Sequence, residues 1–298
     1  MWELLVSLAA VLFAITGLQT FAFYVIWFYE RRVAPALADV PGGEPVSLWG
    51  GLLGMVREWL SITFLVVTYP LRLLHDASPV KNRKPGEEPI ILVHGYGGDS
   101  ANLLLMQWRL KRRGWRNVYA VSYTPPIIDA RKLAEQVVKH VEEVLRVTQA
   151  ERAHLVCHSM GGPLTRYAMH HLGLAGKIGK VITLGSPHAG SRIASLFPRI
   201  GAAGQMRYQS DFLKELEALG TPPGDARFYS IYSNFDNFIL PASSAVLEGA
   251  GNIHVPLHGH CALLYSSRVL REVEACLRGD SKQSEPQEEA VQDGSDLA

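Results

Sequence analysis

Ala153-His154-Leu155-Val156-Cys157-His158-Ser159-Met160-Gly161-Gly162 decides the fold: an apolar run short enough for a buried strand, a serine at its end, and two glycines behind it. A serine held on a sharp strand-to-helix bend presents its hydroxyl at the sheet edge, and the backbone there passes its neighbours with almost no side-chain room. Small residues are therefore needed on both sides of the bend. The usual spacing is G-x-S-x-G; here the first position is Cys157, small enough for a tight turn. The competing reading is helix capping by a serine that precedes glycines.

Working outward, Ile90-Ile91-Leu92-Val93 reads as a buried strand running into His94-Gly95-Tyr96-Gly97-Gly98. In such a loop the glycines free the backbone, so the Tyr96 N–H is expected to face a developing oxyanion together with the N–H of Met160, the residue after the serine. Downstream, Arg227 to Ser233 reads as another core strand, with Asp236 placed where an acid would follow it. His260 precedes an amphipathic stretch from Cys261 to about Leu277. A histidine on the loop before the last helix suits a general base, and His254, His258 and His260 crowd that loop.

These segments resemble the bacterial lipases of the α/β-hydrolase superfamily, especially the small triacylglycerol lipases and serine esterases of the Bacillus type. The resemblance rests on V-H-G-x-G-G at Val93 to Gly98, H-S-M-G-G at His158 to Gly162 and T-L-G-S-P-H-A-G-S at Thr183 to Ser191. It continues through S-N-F-D at Ser233 to Asp236 and G-H-C-A-L-L-Y-S-S-R-V at Gly259 to Val269. It covers roughly residues 88 to 277. The chain order Ser159, Asp236, His260 is that of α/β-hydrolases and differs from the chymotrypsin and subtilisin orders. The resemblance implies a carboxylic-ester hydrolase with Ser159, Asp236 and His260 at the triad positions and Tyr96 and Met160 at the oxyanion hole; His258 is the alternative base. His94 is expected to brace the oxyanion loop, His158 to flank the nucleophile, and His188 to belong to the S-P-H-A-G loop.

No cofactor is implied and no metal-ligand spacing emerges; the calcium site of larger lipases finds no matching acidic ligands. Cys157, Cys261 and Cys276 are odd in number and suggest no disulfide framework. A catalytic thiol is the sharp alternative for Cys157 and Cys261, and small packing residues the preferred reading.

Length and composition, 298 residues at 48% hydrophobic, allow one substantial α/β core, and a formal charge of +1 gives no reason to expect nucleic acid. Leu4 to Tyr29 is almost wholly apolar, longer than the ~20 residues needed to cross a bilayer. A signal peptide is the competing reading, but there is no basic n-region, and Phe21, Phe23, Tyr24, Trp27, Phe28 and Tyr29 stand where small residues would be cleaved. They suit an interfacial belt. A second apolar region, Val46 to Leu74, carries Arg57 and Glu58 near its middle, at a cost of about 2.5–3.5 kcal/mol per ion in a bilayer centre. It reads as a half-buried or interfacial helix, or as one arm of a membrane hairpin.

The resulting division is a transmembrane anchor at 1–30, a linker with the second apolar helix at 31–79, an α/β-hydrolase catalytic domain at 80–278, and a disordered acidic tail at 279–298. The expected location is a membrane, the bacterial inner membrane, with the side open because Arg31 and Arg32 compete with Arg72, Lys81, Arg83 and Lys84. Val118 to Tyr123 and Lys180 to Leu184 read as further strands and Asp129 to Val147 as a helix, giving a mainly parallel sheet covered on both faces. Between Ser191 and Gly220, Phe197, Ile200, Met206, Tyr208, Phe212 and Leu213 are available either for an apolar lid or for ordinary packing. The expected function is a membrane-anchored lipase or esterase acting on lipid or other apolar esters. An acyltransferase with the same residues and a noncatalytic hydrolase-like binding module are the alternatives. A chain begun near Lys81 is expected to keep the constellation and much of its activity.

Overall fold

The computed structural model describes residues 2–33, 46–73 and 85–280. Much of the predicted linker and nearly all of the acidic tail, 281–298, lie outside them. In chain order the elements are α1 (Trp2–Val33), α2 (Leu48–Thr68), β1 (Ile90–Val93), α3 (Leu104–Arg112), β2 (Val118–Val121), α4 (Ala130–Thr148) and β3 (Ala153–His158). They continue with α5 (Gly161–His171), β4 (Ile178–Leu184), α6 (Gly201–Gln205), α7 (Asp211–Ala218), β5 (Arg227–Tyr232), β6 (Gly251–His254), α8 (Ala262–Tyr265) and α9 (Ser267–Arg278).

The six strands form one sheet in the order β2-β1-β3-β4-β5-β6, every pairing parallel. Successive side chains point to opposite faces, so each strand feeds two cores. Ile91, Val93 and Leu155 meet Leu133, Val137 and Leu164 of α4 and α5 on one face. Ile90, Leu92 and Val156 meet Met106, Leu110, Val269 and Val273 of α3 and α9 on the other. Burial on both faces explains why these strands read as unbroken apolar runs. Since all strands run the same way, the loops after β1, β3, β5 and β6 open at one carboxyl edge, where ligands bind in such sheets.

Two elements differ from the sequence reading. β6 was not expected: its four residues, Gly251-Asn252-Ile253-His254, are too short and too polar to announce a strand, and they form one by pairing with β5. The single helix expected from Cys261 to Leu277 is broken at Ser266. That residue is extended, with φ −73° and ψ 130°, and its hydroxyl accepts from the Arg268 and Val269 amides to start α9.

Both α1 and α2 are long and apolar enough to cross a membrane by length and composition. They pack side by side: the Thr16 and Thr63 hydroxyls are 2.8 Å apart, and the Trp59 indole donates to the Phe13 carbonyl at 2.9 Å. Leu4, Leu8, Leu18 and Phe21 of α1 and Leu52, Leu53 and Leu60 of α2 are exposed. Other faces are not. Tyr24 and Trp27 of α1 pack with Phe235, and Glu58, expected as an awkward charge in an apolar run, is fully buried against the loop after β6.

Candidate functional site

Ser159 sits between β3 and α5 with φ +52°, the left-handed region that L side chains enter at a cost of about 1–3 kcal/mol. The surroundings hold it there: its N–H donates to the Leu184 carbonyl at 2.9 Å, and its own carbonyl accepts from Gly162. A Cβ at Gly95 would lie 2.8 Å from that of Ser159, so the loop after β1 can approach only without a side chain. The close approach predicted from the glycines is thus real on the β1 side. Cys157 at the first motif position is buried in β3, its sulfur 3.2 Å from the Thr165 hydroxyl.

The loop after β1 carries the second expected feature. His94 stacks on Tyr123 with ring centroids 4.0 Å apart; its Nδ1 faces the Gly95 carbonyl at 2.8 Å, and its Nε2 accepts from the Tyr123 N–H at 3.2 Å. Burial pushes its pKa down to about 4, so it is a neutral brace. Held this way, the loop leaves the Tyr96 N–H, like that of Met160, without an acceptor among the described residues. Both residues border the same cavity as Ser159.

Asp236 is buried in the turn after β5, where one carboxylate oxygen accepts from the Phe238 and Ile239 amides at 2.8 and 3.0 Å. The other oxygen meets His260 Nδ1 at 2.9 Å. Phe238 stacks on the His260 ring, and the Asn237 side chain accepts from the His260 N–H at 3.3 Å. Burial disfavours protonated His260, but the charge and hydrogen bond of Asp236, with the charge of Glu58, outweigh it and raise its pKa above the ordinary value.

His258 is turned away from the cavity. Its Nδ1 lies 2.7 Å from the Pro256 carbonyl and its Nε2 2.7 Å from the Ser266 hydroxyl, and burial pushes its pKa down to about 4. The geometry therefore pairs His260, and not His258, with Asp236 and sets it on the cavity that Ser159 borders. His188 is buried beside Thr183, and burial holds its pKa well below the usual range. His158 packs against the His260 ring and is kept neutral by burial and by the charge of its neighbour. Burial also pushes the Cys157 thiol up to about 12 and, aided by Glu58 and Asp236, the Cys261 thiol well above its usual value. Neither is poised as a thiolate.

Ser159, His260, Tyr96 and Met160 border one cavity of about 320 Å³, at the lower end of the range for small-molecule sites. Its wall is mostly apolar, with Ile193, Phe197 and Met206 from the 191–220 segment and Leu264 from α8. Of that segment, Phe197 and Met206 face the cavity, whereas Phe212 and Leu213 pack into the core. The remaining wall was not foreseen. Ile62, Leu65 and Val66 of α2 and Gln19 of α1 complete it.

A family model for lipase (class 2) matches residues 87–260, more than half of the chain, with Tyr96, Ser159, Met160, Asp236 and His260 inside it. The chain belongs to the lipase (class 2) family. A curated triacylglycerol lipase from Vibrio cholerae is 32% identical over 128 residues, 41% of this chain and 39% of that protein. The match thus spans about two fifths of that relative's length. Among solved structures, Aspergillus fumigatus lipase B superposes with a TM-score of 0.58 at 18% identity, covering 69% of this chain and 55% of that one. A Bacillus licheniformis lipase in its mature form gives a TM-score of 0.57 at 18% identity, covering 67% and 96%. At such identity these structures establish the α/β-hydrolase fold of this lipase-family chain.

Proposed function

We propose that this lipase-family protein is a membrane-anchored carboxylic-ester hydrolase that works through an acyl-enzyme on Ser159. One observation carries the reading: a strained serine shares an apolar cavity with a histidine paired to a buried aspartate and with two unclaimed backbone amides. The Ser159 hydroxyl attacks the ester carbonyl as His260 Nε2 takes its proton, and the carbonyl oxygen, now anionic, receives the Tyr96 and Met160 N–H groups. Asp236 holds Nδ1–H and stabilises the imidazolium. His260 then gives its proton to the leaving alkoxide, and water, deprotonated by the same imidazole, releases the acid. The apolar wall suits the acyl chain of a lipid or another apolar ester.

Membrane anchoring is supported by the length of α1 and by the exposed apolar faces of α1 and α2. The full-length protein is expected to stay in the membrane pellet after carbonate washing. The chemistry is tested by fluorophosphonate labelling of the purified protein, which should tag Ser159 and be abolished in Ser159→Ala. Undiminished labelling of that variant would sink the assignment. Product analysis with water and an added alcohol separates hydrolysis from acyl transfer.

A further inference from the structure

Glu58 is a carboxylate with no exposure to solvent, on a helix that is otherwise apolar, and its position is defined at both oxygens. Oε1 accepts from the Cys261 N–H at 2.9 Å and Oε2 from the Ala262 N–H at 2.8 Å. Those amides belong to the two residues directly after His260. A buried carboxylate is costly unless its lone pairs are satisfied, and two aligned donors of this kind are strong, charge-assisted partners. The loop is shaped to receive it: a Cβ at Gly259 would lie 2.4 Å from Oε2, so only glycine leaves room before the histidine. Arg57, next to it, donates to the Leu257 carbonyl at 3.3 Å on the same loop.

We infer that Glu58 is a positioning residue for the general base, fixing the His260 loop from the N-terminal helix pair so that the imidazole is presented to Ser159 and Asp236. The inference rests on the serine-hydrolase reading above and deepens it. Glu58 does not touch the cavity; it acts through the backbone on either side of which the base is hung. The same helix pair reaches the acid. Trp27 donates its indole N–H to the Asn234 carbonyl at 3.0 Å, two residues before Asp236.

The ionisable groups around His260 are Asp236 after β5, His158 at the end of β3, Glu58 on α2 and Cys261 beside it. Tyr24 of α1 and Tyr265 of α8 face Glu58, with Arg57 adjacent. The base works as neutral imidazole, so the acid limb of kcat/KM follows the His260 pKa. Burial holds the Glu58 carboxyl up at about 7, so above that pH its charge favours imidazolium, and removing it lowers the His260 pKa and moves the limb to lower pH.

The test uses the full-length protein, a soluble short-chain ester and two variants. Glu58→Gln keeps the shape and removes the charge; it should lower kcat about tenfold or more with little change in KM, and shift the acid limb to lower pH. Gly259→Ala keeps Glu58 and displaces its carboxylate, and should lower kcat similarly. Wild-type kcat and an unmoved acid limb in Glu58→Gln would overturn the inference. If that variant does not accumulate folded, wild-type kcat in Gly259→Ala does so instead. Ser159→Ala, run in parallel, separates this outcome from failure of the hydrolase reading itself, since only the latter leaves labelling intact without the serine.

Discussion

The two halves of the candidate site are held in different ways. The nucleophile and oxyanion half is built from neighbours in the sheet: Ser159 at the end of β3, Tyr96 after β1, and the His94–Tyr123 stack that braces the loop. Its hydrogen-bonded tie to the N-terminal helices is a long one, from the Asn102 side-chain amide to the Leu65 carbonyl of α2 at 3.5 Å. The acid and base half hangs on two loops at the other side of the sheet, and those loops are tied to α1 and α2 by Trp27 and Glu58. Adjacent strands fix the first half through their own ladders, whereas irregular loops have few backbone partners of their own and must borrow rigidity from outside.

The largest effects should come from the residues that join the halves. His260→Ala and Asp236→Asn should each reduce kcat/KM by about 10⁴-fold, because loss of a base or its orienter disables the unit. His258→Ala should leave kcat near wild type and lower thermal stability, by about 1–3 kcal/mol for the Ser266 O–H left without its imidazole acceptor and the lost Pro256 contact. Inactivity in His258→Ala with activity in His260→Ala would reverse the choice of base. Next comes the division itself. A chain begun near Lys81, expected from the sequence to keep much of its activity, retains Ser159, Asp236 and His260 but loses Glu58, Trp27 and the α2 wall, and should instead show kcat/KM at least about 10²-fold below full length on a soluble ester. Full activity would show that the second half stands alone. The smallest effect belongs to Trp27→Phe, which removes one indole donor. A thermal melt should record about 1 kcal/mol, and kcat should fall by less than in the truncated chain.

The same contrast explains what could be read in advance. The strand-to-helix turn at Ser159, the glycine loop after β1 and the parallel sheet were legible because local glycine spacing and short apolar runs carry them, and the chain order of Ser159, Asp236 and His260 marked the proposed triad. Choosing among His254, His258 and His260 required the family pattern, since three histidines within seven residues share one loop; only geometry shows His258 engaged by Pro256 and Ser266. β6 escaped because its strand character comes from pairing with β5. Glu58 was visible as a charge in an apolar helix, but its sequence signal spoke only of a cost in lipid. An ionisable residue in such a helix commonly has a specific partner, and that expectation was the available clue. The α2 wall of the cavity left no such signal, because Ile62, Leu65 and Val66 look like any lipid-facing or core-facing residues.

The ties between the helix pair and the triad loops join residues that are far apart in order of synthesis. Glu58 meets amides 203 and 204 positions later, and Trp27 and Tyr24 meet carbonyls 207 and 211 positions later. On the ribosome the helices are therefore made long before the loops they secure, and closing contacts of such separation is slow relative to local structure. The nascent chain can complete its strained serine turn while its proton acceptor is still unmade. The proposed ester hydrolysis therefore depends on the last-made loop docking against the first-made helices.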